Sequence, residues 1–358
     1  MPDVLPPKPA APSPAPAAQP KVNRLGLTTD AYKGAESTLC SGCGHDSITA
    51  QIIKACYDLG IEPYNVAKMS GIGCSSKTPA YFLSKSHGFN SVHGRMPAVA
   101  AGTNLANRKL TVLGVSGDGD TASIGMGQFV HMMRRNVNMV YIIENNGVYG
   151  LTKGQFSATA DVGSGSKKGD INEMLPIDCC GLAIELGCTF VGRSFSADMK
   201  QLTALIKAAF HHNGCAVIDV VSPCVTFNNH ESSTKSYKYA KDHEMALHEI
   251  DFIEHVEPQA PIELKAGETR DIELHDGSHI RLKKLAEDYN PMDRAQAIST
   301  IDKAKREQLF LTGLLYVDKS RRPFVDQQNM VDEPLAQLSS DKVRPPKSAL
   351  DEIMASLT

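Results

Sequence analysis

The sequence predicts an α/β protein: a doubly wound, mostly parallel sheet with a C-terminal arm. The first observation is the stretch 110–155, LTVLGVSGDGDTASIGMGQFVHMMRRNVNMVYIIENNGVYGLTKGQ. Residues 110–115 and 137–143 are apolar, β-branched runs that read as buried strands. Between them Ile124, Met126, Phe129, Met132 and Met133 fit a helix over 122–135. Such a unit leaves two polar loops at the carboxyl ends of its strands, where ligands of parallel sheets bind. The second observation is that the alternation continues, with helices expected over 175–187 and 197–210 and strands over 190–192 and 216–221. The third is a change of pattern past Pro258. There Asp276-Gly277 marks a hairpin over 269–282, followed by a helix over 295–310, a strand fragment over 314–317 and a last short helix beyond Pro345-Pro346. The domain organisation expected is therefore a Pro/Ala-rich disordered tail (1–24), a ligand-binding domain (25–257) and an arm (258–358) that packs on the core or on a partner.

At 358 residues the chain is long enough to bury a large core. A formal charge of −3 offers no basic field for nucleic acid. No apolar run reaches the length of a membrane span and the N-terminus lacks a signal-peptide core, so a cytoplasmic protein is expected. In a reducing compartment, nine cysteines are better explained by metal ligation than by disulfides.

Two ligands compete for the loops after the central strands. Gly117, Gly119 and Ala122 match the dinucleotide fingerprint G-x-G-x-x-G/A, with Glu144 about where a ribose-binding acid sits. Asp118 weakens that reading, because a carboxylate beside a pyrophosphate is repulsive unless a cation lies between them. With Mg²⁺ there the sign reverses, since this ion takes one or two protein oxygens plus phosphate oxygens. Asp118 offers a carboxylate, Asn146 an amide oxygen, and Val148 a backbone carbonyl. The spacing of GDG and NN resembles the diphosphate-binding motif of thiamine diphosphate enzymes.

Thr38-Leu39-Cys40-Ser41-Gly42-Cys43-Gly44-His45 holds a C-x-x-C before a helix expected from Asp46 to Leu59. Alone it fits half a zinc site, a redox pair or two ligands of an iron–sulfur cluster. Cys74 in a Gly-rich loop and Cys224 after a strand complete a possible Cys₄ set. Cys56, Cys179, Cys180, Cys188 and Cys215 lie on apolar elements and are expected as small buried hydrophobes. Spacing does not separate zinc from iron. Beside a thiamine diphosphate site, a cluster has a use as electron acceptor that zinc lacks.

CSGCGH, GIGCSSK, HGRMPAVAAGTNLA, GDGDTASIGMGQ, ENNGVYGLTKGQ and SPCVTFN, in this order, resemble the β subunit of 2-oxoacid:ferredoxin oxidoreductases, most of all the 2-oxoglutarate type. The resemblance covers roughly residues 25–257. It implies oxidative decarboxylation of 2-oxoglutarate with coenzyme A to succinyl-CoA and CO₂, using thiamine diphosphate, Mg²⁺ and a [4Fe–4S] cluster, with electrons passing to ferredoxin. It further implies Cys40, Cys43, Cys74 and Cys224 as cluster ligands, and Asp118, Asn146 and the Val148 carbonyl as Mg²⁺ ligands. Gly117, Gly119 and Asp120 belong to the diphosphate loop. Cys43, Gly44, His45, His93 and Arg95 are expected beside diphosphate or substrate, with Leu151 and Thr152 lining the thiazolium side. Lys77, three residues after Cys74, is expected to bind the distal carboxylate of 2-oxoglutarate.

No glutamate of this chain matches the acid that the cofactor's aminopyrimidine needs. In the resembled family that residue belongs to the α subunit, so an α partner is expected and the chain alone should be inactive. Pyruvate or another 2-oxoacid as substrate, a non-redox thiamine diphosphate lyase with structural zinc, and a NAD(P) dehydrogenase are the competing expectations.

Overall fold

The structure, a computed structural model, describes residues 21–230, 233–253, 269–273, 279–284 and 289–357. Its strands in chain order are β1 (Val66–Ser70), β2 (His87–Asn90), β3 (Thr111–Gly117), β4 (Met139–Asn145), β5 (Val148–Tyr149), β6 (Gln155–Phe156), β7 (Phe190–Phe195), β8 (Cys215–Val221), β9 (Glu244–Ala246), β10 (His248–Ile253), β11 (Thr269–Glu273), β12 (His279–Lys284) and β13 (Phe310–Val317). The main helices are α1 (Gly44–Asp58), α2 (Met96–Ala106), α3 (Met126–Arg135), α4 (Cys179–Glu185), α5 (Met199–His211), α6 (Tyr237–His243) and α7 (Arg294–Arg306).

The main sheet has the order β2-β1-β3-β4-β8-β7-β13-β9. Neighbours from β2 to β7 are parallel, and β13 joins β7 antiparallel. Every residue of β4 is buried, as both faces of the sheet are covered. Its alternation sorts them: Met139, Tyr141 and Ile143 join the core formed with Met96, Phe129 and Ile184 of α2, α3 and α4. Val140 and Ile142 join the opposite core with Ile48 and Ile52 of α1 and Leu202 and Leu205 of α5. The doubly wound α/β expectation holds.

Several boundaries differ from those expected. The helix expected over 122–135 is interrupted: residues 119–124 wind as a π-helical turn, with the Gly125 N–H donating to Asp120 O at 2.8 Å, and α3 starts only at Met126. Wide turns of this kind collect at functional sites. Gly125 also packs backbone on backbone against Gly94, where a Cβ on Gly94 would sit 2.5 Å from Gly125 Cα. Ile124, expected on the helix's apolar face, is instead 53% exposed. The helix expected over 175–187 is only Cys179–Glu185, because Asp178 caps it by accepting from the Gly181 N–H at 3.0 Å. β7 is longer than expected and runs to Phe195.

The C-terminal region is more than an arm on the core. α7 stops at Arg306, Gln308 turns the chain with φ +55, and Phe310, expected at the helix end, opens β13 inside the main sheet. Leu311 and Leu315 face one core, Leu314 and Val317 the other. β11 and β12 pair antiparallel as the hairpin signal predicts, while its Asp276-Gly277 turn lies outside the described residues. Residues 1–20 of the expected tail also lie outside them. Asn23, placed in that tail, donates to Tyr32 Oη at 2.8 Å and to Tyr57 O at 3.0 Å, so the packed chain begins earlier than Leu25. No helix among the described residues is long and apolar enough to cross a membrane.

Leu314 is fully buried. Leu314→Ala should therefore lower the unfolding free energy by about 2–5 kcal/mol, as large core deletions do. Denaturant titration checks it, and a loss below about 1 kcal/mol would mean that β13 is peripheral.

Candidate functional site

Parallel strands put their carboxyl ends on one edge of the sheet. The chain leaves β1 toward Cys74, β3 at Asp118, β4 at Asn146 and β8 toward Cys224. The loops after β1, β3 and β4 enclose a cavity of about 390 Å³. Its walls include His45, Cys74, Ser75, His93, Gly117, Asp118, Gly119, Asp120, Glu144, Asn146, Val148, Tyr149, Leu151 and Thr152.

On one side lies a set of oxygen donors. Asp118 is 1% exposed. Burial pushes its carboxyl up, against hydrogen bonds from Ser157, Thr159 and the Asn146 N–H. Asn146 Oδ1 accepts from the Val148 N–H at 3.1 Å and has a second lone pair free of that bond. Gly147, with φ +74, makes the turn that brings its own N–H to Asp118 Oδ2 at 3.1 Å. A carboxylate, a neutral amide oxygen and nearby carbonyls are the donor chemistry that Mg²⁺ takes alongside phosphate oxygens. Asp120, expected in the diphosphate loop, has both oxygens engaged by the protein. Oδ1 accepts from the Ile72 N–H at 3.2 Å and the Gly94 N–H at 2.8 Å, and Oδ2 accepts from Ser116 Oγ at 2.8 Å. It ties the Cys74 and His93 loops to β3.

The cysteines divide as expected: Cys40 is exposed and Cys43, Cys74 and Cys224 are half-buried, whereas Cys56, Cys179, Cys180, Cys188 and Cys215 are buried. A Cβ on Gly150 would lie 3.3 Å from Cys74 Sγ and 3.8 Å from Cys224 Sγ, so both sulfurs face that one glycine. Thr226 Oγ1 lies 3.6 Å from Cys40 Sγ. Burial pushes the Cys43 thiol up to about 12, so it stays protonated at neutral pH unless a cation takes the thiolate. Among the described residues no three His, Cys, Asp or Glu side chains converge tightly enough for a single metal ion. One zinc needs every sulfur about 2.3 Å away.

The remaining expected residues scatter. His45 is buried, its Nδ1 2.6 Å from Ser222 Oγ and its Nε2 3.8 Å from Glu144 Oε2. Burial lowers it to about 4, which keeps the ring neutral. His93, Leu151 and Thr152 line the cavity. Arg95 does not. It is exposed, just ahead of α2. Cys43 and Gly44 also stand outside the cavity wall, at the start of α1. Lys77 is not in the wall either. Its ammonium is 3.5 Å from Thr38 Oγ1. Sequence reasoning missed Ser75, Tyr149, Ser157 and Thr159. It considered Glu144 only as a ribose ligand, whereas Glu144 is fully buried and accepts from Thr78 Oγ1 at 2.9 Å. Burial raises its carboxyl well above the usual range.

Comparison with known proteins gives this arrangement a family. Residues 71–220 match the thiamine pyrophosphate enzyme, C-terminal TPP binding domain. A 2-oxoglutarate synthase subunit KorB of Methanocaldococcus jannaschii is 36% identical over 241 residues, which are 65% of this chain and 87% of that protein. The chain belongs to the 2-oxoacid:ferredoxin oxidoreductase β subunits. Another family member, the β subunit of Saccharolobus solfataricus, is 44% identical over 201 residues, 55% of this chain. There the match spans 65% of the relative's length, and for the 2-oxoglutarate oxidoreductase subunit KorB of Mycobacterium tuberculosis it spans 51%. A solved 2-oxoglutarate:ferredoxin oxidoreductase from Magnetococcus marinus, with 2-oxoglutarate, coenzyme A and succinyl-CoA bound, superposes with a TM-score of 0.72. It is 28% identical, and the match covers 95% of this chain and all of that one. Within the β-subunit family fold, the matched domain runs from the loop after β1 to the end of β8, which are the strand ends that frame the cavity.

Gly44 is what lets α1 deliver the C-x-x-C to this edge. A Cβ there would sit 2.5 Å from Ser222 Oγ and 2.6 Å from Ser196 Oγ. Gly44→Ala should destabilise the chain by about 1–3 kcal/mol, the cost of overpacking. A thermal midpoint equal to that of the wild type would show that the helix start has room to move.

Proposed function

We propose that this chain is the β subunit of a 2-oxoglutarate:ferredoxin oxidoreductase, active with an α subunit. Substrates would be 2-oxoglutarate and coenzyme A, products succinyl-CoA and CO₂, and the electron acceptor ferredoxin. The reading rests on one observation: Asp118 and Asn146, at the ends of adjacent parallel strands, share a cavity with Cys74. Oxygen donors for Mg²⁺–thiamine diphosphate thus lie beside sulfur donors for a [4Fe–4S] cluster. A cytoplasmic location suits a chain with nine cysteines.

When bound, thiamine diphosphate supplies the nucleophilic carbon and electron sink of decarboxylation, and the cluster supplies a one-electron acceptor. The chain's own contribution is placement. Asp118, Asn146 and the Val148 carbonyl would hold the metal that anchors the diphosphate. Leu151 and Thr152 would wall the reacting end. Cys40, Cys43, Cys74 and Cys224 would hold the cluster, and Gly150 leaves the Cys74 and Cys224 sulfurs clear of a neighbouring side chain. His45 is neutral and already bonded to Ser222, which fits a fixed wall better than an acid.

The first test is metal and sulfide analysis of anaerobically purified protein. About four irons and four sulfides per chain with a broad visible absorption are expected, and zinc without iron would replace this reading with a non-redox lyase. Cys74→Ala should lose that absorption and keep Mg²⁺–thiamine diphosphate binding. If the absorption persists, Cys74 is not a ligand.

We also propose Lys77, the cation of the Cys74 turn, as the contact for the distal carboxylate. A charge-assisted hydrogen bond contributes about 1.5–3 kcal/mol. Lys77→Ala in the assembled enzyme should then raise KM for 2-oxoglutarate about tenfold or more, and leave a monocarboxylic 2-oxoacid little changed. Equal effects on the two substrates would remove Lys77 from specificity.

A further inference from the structure

The S-A-T segment at 157–159 is outside the sequence motifs, yet it touches the centre of the site. The two oxygens of Asp118 are treated unequally. Oδ2 accepts from the Gly147 N–H at 3.1 Å, from Thr159 Oγ1 at 2.5 Å and from the Ser157 hydroxyl. Oδ1 accepts, among the described residues, one long contact from the Asn146 N–H at 3.3 Å. A carboxylate oxygen has about two lone-pair positions. Three donors fill Oδ2, and Oδ1 keeps a position open.

Thr159 has a single proton and three oxygens in reach, Asp118 Oδ2 at 2.5 Å, Asn145 Oδ1 at 2.9 Å and Ser157 Oγ at 3.1 Å. The nearest of them, Asp118 Oδ2, takes it. The segment itself is fixed to the same loops. Ser157 N–H donates to Gly147 O at 3.1 Å and Ala158 N–H to Ser123 Oγ at 3.1 Å. The backbone that carries both hydroxyls is thereby tied to the Asn146 turn and to the π-helical turn.

We propose that Ser157 and Thr159 are positioning residues that make Asp118 a one-oxygen ligand and thereby set which divalent cation the site takes. Mg²⁺ demands near-ideal octahedral geometry, whereas Ca²⁺ accepts two-oxygen carboxylate binding in looser shells. With Oδ2 occupied, Asp118 presents Oδ1 alone, which suits the smaller ion. Freed of its hydroxyl donors, the carboxylate would rotate or bind through both oxygens, and discrimination against Ca²⁺ would fall. This inference rests on the metal–thiamine diphosphate reading of the cavity.

The test uses the full chain assembled with its α partner, stripped of divalent metal and saturated with thiamine diphosphate. Mn²⁺ binding is followed by the electron paramagnetic resonance signal of the free ion, and Ca²⁺ affinity by displacement of that Mn²⁺. Thr159→Val and Ser157→Ala should each weaken Mn²⁺ binding by about 10–100-fold, the range for groups that orient a metal ligand. Ca²⁺ affinity should fall less, and Thr159→Ser should restore both values. Wild-type Mn²⁺ affinity and selectivity in both hydroxyl variants, with binding lost in Asp118→Asn, would overturn the inference and leave the metal site standing. Failure of Thr159→Ser to recover what Thr159→Val loses would overturn it as well. Absence of Mn²⁺ binding by the wild-type enzyme would bring down the metal reading and the inference together.

Discussion

The structure depends on parallel alignment of β1, β3, β4 and β8. Four strands running the same way must end on the same edge, so the loops after them meet without any long-range design. Residues 44 positions or more apart in sequence, such as Cys74 and Asp118, become neighbours because the register of β1 on β3 and β3 on β4 leaves them no other place. That alignment in turn requires helices on both faces, which is why β4 has no exposed residue and why α1, with its C-x-x-C, lies against α5 on the far face from α3. The close seat of Gly44 on Ser196 and Ser222 then carries the remaining two cysteines to the edge.

Charge inside this edge is handled by donors rather than by salt bridges. Asp118 and Asp120 are nearly fully buried, and each is met by backbone N–H groups and hydroxyls instead of lysine or arginine. An arginine beside Asp118 would compete with a cation for the same carboxylate. Hydroxyl and amide donors shape the carboxylate and leave its charge available. The half-buried Arg193, by contrast, sits between Asp178 at 2.5 Å and Asp219 at 3.3 Å, outside the cavity wall, where ion pairs, with Lys305 also 3.3 Å from Asp178, frame α4, β7 and β8.

What the sequence revealed follows from what short patterns encode. The parallel sheet was legible because β3 and β4 are apolar runs bracketed by glycine and asparagine. The division of the cysteines was legible because loop and core contexts differ within a few residues. The partners of Asp120, the N–H groups of Ile72 and Gly94, were not legible because they reach it from across the fold. Arg95 was placed by loop membership, which fixes a backbone but not where a long side chain ends. Ser157 and Thr159 were invisible for the opposite reason: S-A-T has no periodicity or motif, and its meaning comes wholly from the Gly147 carbonyl it pairs with. The break at Gly125 was hidden because apolar spacing continues through it.

Glu144 argues for a second polypeptide. It is an acid in the cavity wall, and burial raises its carboxyl well above the usual range. Glu144 lies in β4, two residues before Asn146, a separation of about 7 Å. It is therefore on the side of the cavity where the proposed metal ligands lie. Its oxygen is also spent on Thr78, at 2.9 Å. Among the described residues of the cavity wall the buried glutamate is tied down beside the proposed metal ligands, so the proposed reaction takes its proton donor from outside this chain. The α subunit is where the proposed function puts it.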